Sequence, residues 1–459
     1  MNTFGNTVAA ISTPPGKGGV AVIRISGDSA KEIADRCFLP RDGKTFSSHP
    51  PRHAVYGDII FNGEKTDDGI AIMFSAPNSY TGEDVVEISC HGGVLITQTV
   101  LSAVFSAGAI PAGAGEFTRR AFINGRISLS DAEAIGTLLE AKSISQIRLA
   151  SCDSRNKLKN SMSNIRADML KLMSTLFAKI DYPDEDLSDL GEDEIVESLK
   201  MICEKLDSLI KTYKAGRAIN EGINTVICGK PNAGKSTLYN RLTGEESAIV
   251  TEYAGTTRDV LHETVSVGGI LLNLSDTAGI RDADDPVEKI GVERSRKCIE
   301  NAELILAVYD GSKPMEQQDR ELTDMLSSVA GTVVAVVNKT DLKKTNVSDI
   351  LKERFENVVE LSAREGDITP LTEKISRMFF DGNIQVGADA IIANARQYSA
   401  VTRAREYILN SIKAFSSGYA CDVASSDLEL AIRAVSELDG HEASESIVAE
   451  IFSHFCVGK

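Results

Sequence analysis

The chain of 459 residues carries 66 acidic side chains against 49 Lys and Arg, a formal charge of -17, which excludes a surface coated in basic groups for nucleic acid and leaves only a local patch for such a role. A composition of 42% hydrophobic and 25% charged residues excludes wholesale disorder, and no apolar run reaches the ~18 residues of a membrane span. The length suggests about three domains with substantial cores.

Residues 1–126 mix short β-rich runs at 20–25, 70–74 and 85–89 with Gly and Pro punctuation, which predicts an α+β domain. The amino terminus lacks the charged-then-apolar layout of a signal peptide, so a cytoplasmic location is expected. Gly16-Lys17-Gly18-Gly19 lacks the Gly-Lys-Ser/Thr ending of a phosphate loop and reads as a turn. Arg24 is more telling, because a charge inside an apolar strand needs an anionic partner. Glu87 is its mirror case. A structural ion pair and a ligand site offering acidic and donor groups are equally open readings of the two.

Residues 127–221 turn helical: Met162, Ile165, Met169, Leu172, Met173, Leu176 and Ile180 recur at three- and four-residue spacing, which predicts a helix interface. Nine acidic residues and no basic one between 181 and 197 predict a solvated loop and helix start. Over 222–380 near-continuous apolar strands at 223–228, 271–275, 304–309, 332–337 and 358–361 alternate with helical segments, which predicts a mainly parallel sheet covered on both faces. Helical texture returns over 381–459. The order fits an α/β domain inserted into one discontinuous helical domain; two separate helical domains are the alternative.

Gly229-Lys230-Pro231-Asn232-Ala233-Gly234-Lys235-Ser236 follows a strand, opens a helix and has the form of a P-loop. Backbone N–H groups of such a loop point at phosphate oxygens, Lys235 bridges the β- and γ-phosphates, and Ser236 ligates magnesium. Asn338-Lys339-Thr340-Asp341 ends an apolar strand, where a carboxylate can accept two guanine N–H groups. Ser362-Ala363-Arg364 offers backbone to the guanine carbonyl. Asp276-Thr277-Ala278-Gly279 places a carboxylate near the metal and an N–H near the γ-phosphate, and Thr257 brings a second hydroxyl to magnesium. These five elements, in this order, resemble the translation-factor class of GTPases, and GTP binding is expected. The water-orienting Gln of small GTPases is replaced by Ile280, so another polar group must serve. Asn232 is suited to a monovalent cation beside the phosphates; Asp282, Asp284, Asp285 and Glu288 are unranked candidates for the water.

The eight cysteines, at 37, 90, 152, 203, 228, 298, 421 and 456, form no C-x-x-C pair, so no zinc knuckle or redox dithiol is expected. Phe455 and Cys456 are unusual in a terminal tail and predict docking into a pocket. With Lys459 the only nearby cation in sequence, an inert buried thiol is the preferred reading of Cys456 over a nucleophile.

Thr13-Pro14-Pro15-Gly16-x-Gly18-Gly19, Pro77-Asn78-Ser79-Tyr80-Thr81-Gly82-Glu83-Asp84, His91-Gly92-Gly93, Gly115-Glu116-Phe117-Thr118-Arg119-Arg120-Ala121-Phe122 and the terminal Phe455-Cys456-Val457-Gly458-Lys459 together resemble the MnmE (TrmE) family of tRNA-modification GTPases over nearly the whole chain. The resemblance implies an α+β folate-binding, dimerising domain at 1–126, a discontinuous all-α domain at 127–221 and 381–459, and an inserted Ras-like P-loop GTPase domain at 222–380. It implies a GTP hydrolase, potassium-activated through G-domain dimerisation. A heterotetramer with the flavoprotein MnmG would install an aminomethyl-type group at carbon 5 of the wobble uridine of certain tRNAs.

By that resemblance the nucleotide site takes Asn232, Ala233, Gly234, Lys235, Ser236 and Thr237, with Thr251, Thr256, Thr257 and the downstream motifs. Asn232, Thr251, Tyr253 and Thr256 surround K+, Ser236 and Thr257 hold Mg2+, and Glu288 orients the attacking water. Arg24, Glu87, Arg126 and Lys459 line the site of a formyl- or methylene-tetrahydrofolate. Arg126 departs from the family's Lys, keeping charge with another contact geometry. Cys456 matches a thiol of the modification chemistry.

Overall fold

Two separate sheets organise the chain, each built from strands whose burial follows their sequence pattern. The computed structural model describes residues 5–181, 192–245, 262–275, 298–342, 345–380, 384, 386–417, 421–439, 445–453 and 455–459. Packing divides these into two units, Met1–Gly136 with Ser436–Lys459, and Thr137–Val435. Against the stretches read from sequence texture, residues 127–136 and the last 24 residues fall with 1–126, and the rest of the helical and α/β stretches forms one unit.

The first unit holds strands β1 (Val8–Ile11), β2 (Val20–Ser26), β3 (Phe38–Pro40), β4 (Ala54–Phe61), β5 (Glu64–Phe74), β6 (Val85–His91) and β7 (Ile110–Pro111) in the order β3-β4-β5-β6-β2-β1-β7. Every pairing is antiparallel except β1 with β7. In β2 the residues Ala21, Ile23 and Ile25 face a core that the helices Ala30–Cys37 and Val94–Ser106 complete with Ile33, Ala34, Val100 and Val104. Successive side chains of a strand point to opposite faces, so Arg24 lies on the other face and its charge never enters that core. The register sets it directly opposite Glu87.

The second unit holds β8 (Ile223–Cys228), β9 (His262–Val267), β10 (Ile270–Ser275), β11 (Leu304–Asp310), β12 (Thr332–Asn338) and β13 (Val358–Glu360), ordered β13-β12-β11-β8-β10-β9. Only the edge strand β9 runs antiparallel. The strand β11 is buried throughout, as expected of a central strand with helices on both faces. Helices Lys235–Glu245 and Thr369–Phe379 supply Leu238, Leu242, Leu371 and Ile375 to one face. Helices Gln317–Leu326 and Val347–Lys352 supply Leu326, Val347 and Leu351 to the other.

Long helices Cys152–Asp181, Glu192–Asn220, Ala395–Ser416 and Cys421–Ser436 complete this unit. The apolar stripe of the first is buried from Met162 to Leu176, but Ile180 is exposed, so the stripe ends one turn earlier than its spacing predicts. Tyr213 stacks on Tyr398 with ring centroids 4.2 Å apart, and Arg405 pairs with Asp207. Among the described residues no helix is long and apolar enough to cross a membrane.

Candidate functional site

The loop between β8 and the helix Lys235–Glu245 turns on Asn232 at φ 61° and Gly234 at φ 102°. A Cβ at Gly234 would overlap the Asn338 amide nitrogen, so only glycine permits the approach of that side chain. Lys235 folds back over the loop, its Nζ donating to the Gly229 and Lys230 carbonyls at 2.9 Å each. Burial lowers its pKa, with the Cys228 sulfur acting in the opposite direction. Among the described residues its partners include no carboxylate. A partly desolvated ammonium whose partners among the described residues are carbonyls keeps its charge uncompensated there. Beneath it, burial pushes the Cys228 thiol up to about 12, which keeps it protonated.

The strand end at Asn338 ties three motifs together. Asn338 Nδ2 donates to the Ala233 carbonyl at 2.9 Å, and its Oδ1 accepts from the Ala363 N–H at 3.0 Å. Lys339 Nζ donates to the Asn232 carbonyl at 2.7 Å and pairs with Asp310 at 2.6 Å. Burial works against the Asp310 carboxylate, but Lys339 and the Ser312 hydroxyl and N–H outweigh it and hold its pKa below the usual range. Ser362 Oγ donates to Asp341 Oδ1 at 2.7 Å, and Arg241 donates to the Ala363 and Arg364 carbonyls at 3.2 Å each. Lys230 reaches the far side of the loop, pairing with Asp319 at 2.7 Å and Glu316 at 3.3 Å. Asp310, Asp319 and Glu316 carry no motif of their own, so only the three-dimensional structure reveals their part in bracing the loop.

Ser236 and Thr237 stand in the first turn of Lys235–Glu245. Thr251, Tyr253, Thr256, Thr257, Asp276, Thr277, Ala278, Gly279, Ile280, Asp282, Asp284, Asp285 and Glu288 lie outside the described residues.

In the first unit, Arg24 Nε donates to Glu87 Oε1 at 2.9 Å, and a second guanidinium nitrogen lies 2.8 Å from the same oxygen. The guanidinium also sits 5.2 Å from the Tyr80 ring centroid and 5.4 Å from that of Phe117, a cation–π cradle. Helix Glu116–Ile123 gathers the surroundings. Its Phe117 N–H donates to the Lys459 carbonyl at 3.1 Å, its Thr118 hydroxyl shares a 2.9 Å hydrogen bond with Tyr80, and its buried Arg120 pairs with Glu83 and Glu116 at 3.0 Å each. Arg126 is exposed and its stem covers Gly82, where a Cβ would stand 3.3 Å from Arg126 Cγ. The partly buried ion pair and the two aromatic rings form one charged, aromatic-lined cluster. Tyr80 and Phe117 fall inside quoted motifs, but nothing in the sequence singles them out as partners of Arg24.

The carboxyl-terminal tail docks on the same unit. Phe455 is buried against Phe452 and Leu129, Val457 bridges to Ala114, and the Ser12 hydroxyl donates to the Gly458 carbonyl at 2.9 Å. Cys456, however, is exposed, which corrects the expectation of a buried thiol. The anchors are Phe455 and Gly458, and the two residues between them are turned outward.

The MnmE helical domain family model matches residues 129–456, and the model of the GTP-binding protein TrmE N-terminus matches residues 7–126. A tRNA modification GTPase MnmE of Thermoanaerobacter sp. (strain X514) is 39% identical over 461 residues, covering 99% of each chain. One from Thermotoga sp. (strain RQ2) is 38% identical over 459 residues, covering 99% of this chain and 100% of the relative. Among solved structures, the G domain of the T. maritima FeoB iron transporter aligns at 23% identity over 33% of this chain and 94% of that one, with a TM-score of 0.25, too low to bear on the fold.

Proposed function

The chain belongs to the MnmE family of tRNA modification GTPases, and from that premise we propose that it hydrolyses GTP and couples the hydrolysis to modification at carbon 5 of the wobble uridine of certain tRNAs. The observation that carries this reading is the partly buried Lys235 ammonium, held by loop carbonyls, in a loop that Asn338 fastens to the proposed guanine-reading elements. Asp341 would accept from the guanine N–H groups, and the Ala363 and Arg364 backbone would border the base. Mg2+, when bound, offsets phosphate charge; Ser236 and Thr257 would hold it. Asn232, with Thr251, Tyr253 and Thr256, would hold K+, and Glu288 would orient the attacking water.

The first unit is proposed as the one-carbon site, with Arg24, Glu87, Arg126 and Lys459 binding formyl- or methylene-tetrahydrofolate, which supplies the one-carbon unit. The exposed Cys456, three residues from Lys459, is the proposed thiol of the modification chemistry. Homodimerisation through the first unit, a heterotetramer with the flavoprotein MnmG, binding of tRNA and a cytoplasmic location complete the proposal. Nucleoside analysis of tRNA from cells with and without the gene tests it. Loss of the modified wobble uridine on deletion, restored by the wild-type chain and not by Lys235→Ala, is the expected result. An unchanged nucleoside profile would overturn the modification role, and full rescue by Lys235→Ala would overturn the coupling to GTP.

A further inference from the structure

The strand β10 begins Ile270, Leu271, Leu272, Asn273, Leu274, and Asn273 alone among these five is not buried. An amide in such a run calls for hydrogen-bonding partners, and both ends of this one are used. Its Oδ1 accepts from Thr264 Oγ1, the residue opposite it in β9, at 3.1 Å. Its Nδ2 donates to the Glu221 carbonyl at 3.0 Å. Thr264 Oγ1 in turn accepts from Lys142 Nζ at 3.2 Å. Ammonium to hydroxyl, hydroxyl to amide oxygen, amide nitrogen to carbonyl: every donor in the relay meets an acceptor.

The backbone around the relay is shaped to let it form. Gly222 follows the accepting carbonyl at φ 82°, and a Cβ there would stand 2.8 Å from Asn273 Nδ2. At the tip of the β9–β10 hairpin, a Cβ on Gly269 would stand 2.8 Å from Ser145 Oγ. The hairpin therefore rests on the segment 142–146 at its tip and along its side. That segment is itself held at Asn220, because Gln146 Nε2 donates to the Asn220 carbonyl at 2.9 Å and Gln146 Oε1 accepts from the Lys142 N–H at 2.6 Å. Segment, hairpin and the 220–222 joint close a ring of hydrogen bonds.

The ring spans the two kinds of structure in this unit. Residues 220–222 join the long helix Glu192–Asn220 to β8, which runs straight into the phosphate loop. In sequence, β9 follows Thr257 by five residues and β10 ends immediately before Asp276. The hairpin meets segment 142–146 through Thr264 and, at its tip, beside Gly269, and it meets the 220–222 joint through Asn273.

We propose that the Lys142–Thr264–Asn273–Glu221 relay is the contact by which the nucleotide state of the phosphate loop is passed to segment 142–149 of the helical part, with Thr264 and Asn273 as its positioning residues. It rests on the guanine-nucleotide reading above and goes beyond it. The test uses the full chain and two near-isosteric variants, Thr264→Val and Asn273→Leu, each with GDP and with a non-hydrolysable GTP analogue. Amide exchange across 142–149 is measured beside the affinity for each nucleotide. In the wild type, exchange should differ between the two nucleotides. In both variants that difference should vanish while both affinities hold, and Thr264→Ser, which keeps the hydroxyl, should retain it. Identical wild-type exchange with the two nucleotides, a difference surviving in both variants, or its loss in Thr264→Ser would overturn the relay. Failure of the wild type to bind either nucleotide would overturn the nucleotide reading itself, and the relay with it.

Discussion

Lys235 illustrates how a single side chain can state its ligand class. Its pKa is lowered because burial penalises the ammonium, and an anion in the loop would reverse that penalty. Lys235→Met keeps the stem and removes the charge; nucleotide affinity should fall by at least ~2 kcal/mol, measured by titration with a fluorescent GDP analogue. An unchanged Kd would remove Lys235 from the site. At the proposed base end, Asp341 already accepts from Ser362 at 2.7 Å, which fixes its carboxylate. Asp341→Asn replaces an acceptor by a donor, so GTP affinity should drop by about 2 kcal/mol and binding of xanthosine triphosphate should improve; competition binding would show a wrong assignment as unchanged preference for guanine. In the first unit His91 pairs with Asp67 at 2.7 Å, and that carboxylate raises the imidazole above its ordinary 6.5. The pair's stabilisation through His91 is complete below the unfolded-state value and is lost as pH rises through the folded one. An NMR titration should place the His91 midpoint above 6.5 and Asp67→Asn should bring it back toward 6.5. Residue types alone left Arg24 and Glu87 poised between ion pair and ligand site. The register supplies the pair, and the exposure of its outer face is what leaves room for the ligand reading.

Elements were legible where one physical signal dominated. The strands β2, β6, β8, β11 and β12 are apolar runs long enough to be seen alone, and the parallel order of the second sheet follows from their alternation with helices. By contrast β1 is Val-Ala-Ala-Ile, too short and too Ala-rich to signal a strand, and β4 carries Gly57 and Asp58 in its middle. Both exist because neighbours pair with them on the sheet. The tail is a further element that sequence does not declare. Gly458 sits at φ 101°, and a Cβ on it would fall on the Ile11 carbonyl oxygen. Gly458→Ala should therefore cost about 1–3 kcal/mol of docking. The Gly115 and Phe117 amides, which donate to the Cys456 and Lys459 carbonyls, should lose exchange protection. Protection equal to wild type would show that docking does not depend on this glycine.

At the scale of the whole molecule the two units make separate demands. Among the described residues the partners of 455–459 lie within the first unit, and the phosphate loop lies in the second. Deleting 455–459 should abolish binding of a tetrahydrofolate while leaving GTP affinity unchanged, as two calorimetric titrations of the same protein would show; loss of both would mean the tail supports the chain as a whole. The sequence by itself pointed to a phosphate site, because a phosphate loop is a local object whose glycines, lysine and serine act within eight consecutive residues, and to the family, through motifs spread from Thr13 to Lys459. It also determined the alternation of α/β and helical stretches, which needs only periodicity. Tertiary structure alone decided that the last two dozen residues pack with the first 136, that Cys456 faces outward while Phe455 is buried, and that Arg24 is clasped by Glu87, Tyr80 and Phe117. Those outcomes depend on contacts such as Arg24 with Glu87, 63 positions apart, and Ser12 with Gly458, 446 apart, and spacing along a chain carries no record of which distant partner will arrive.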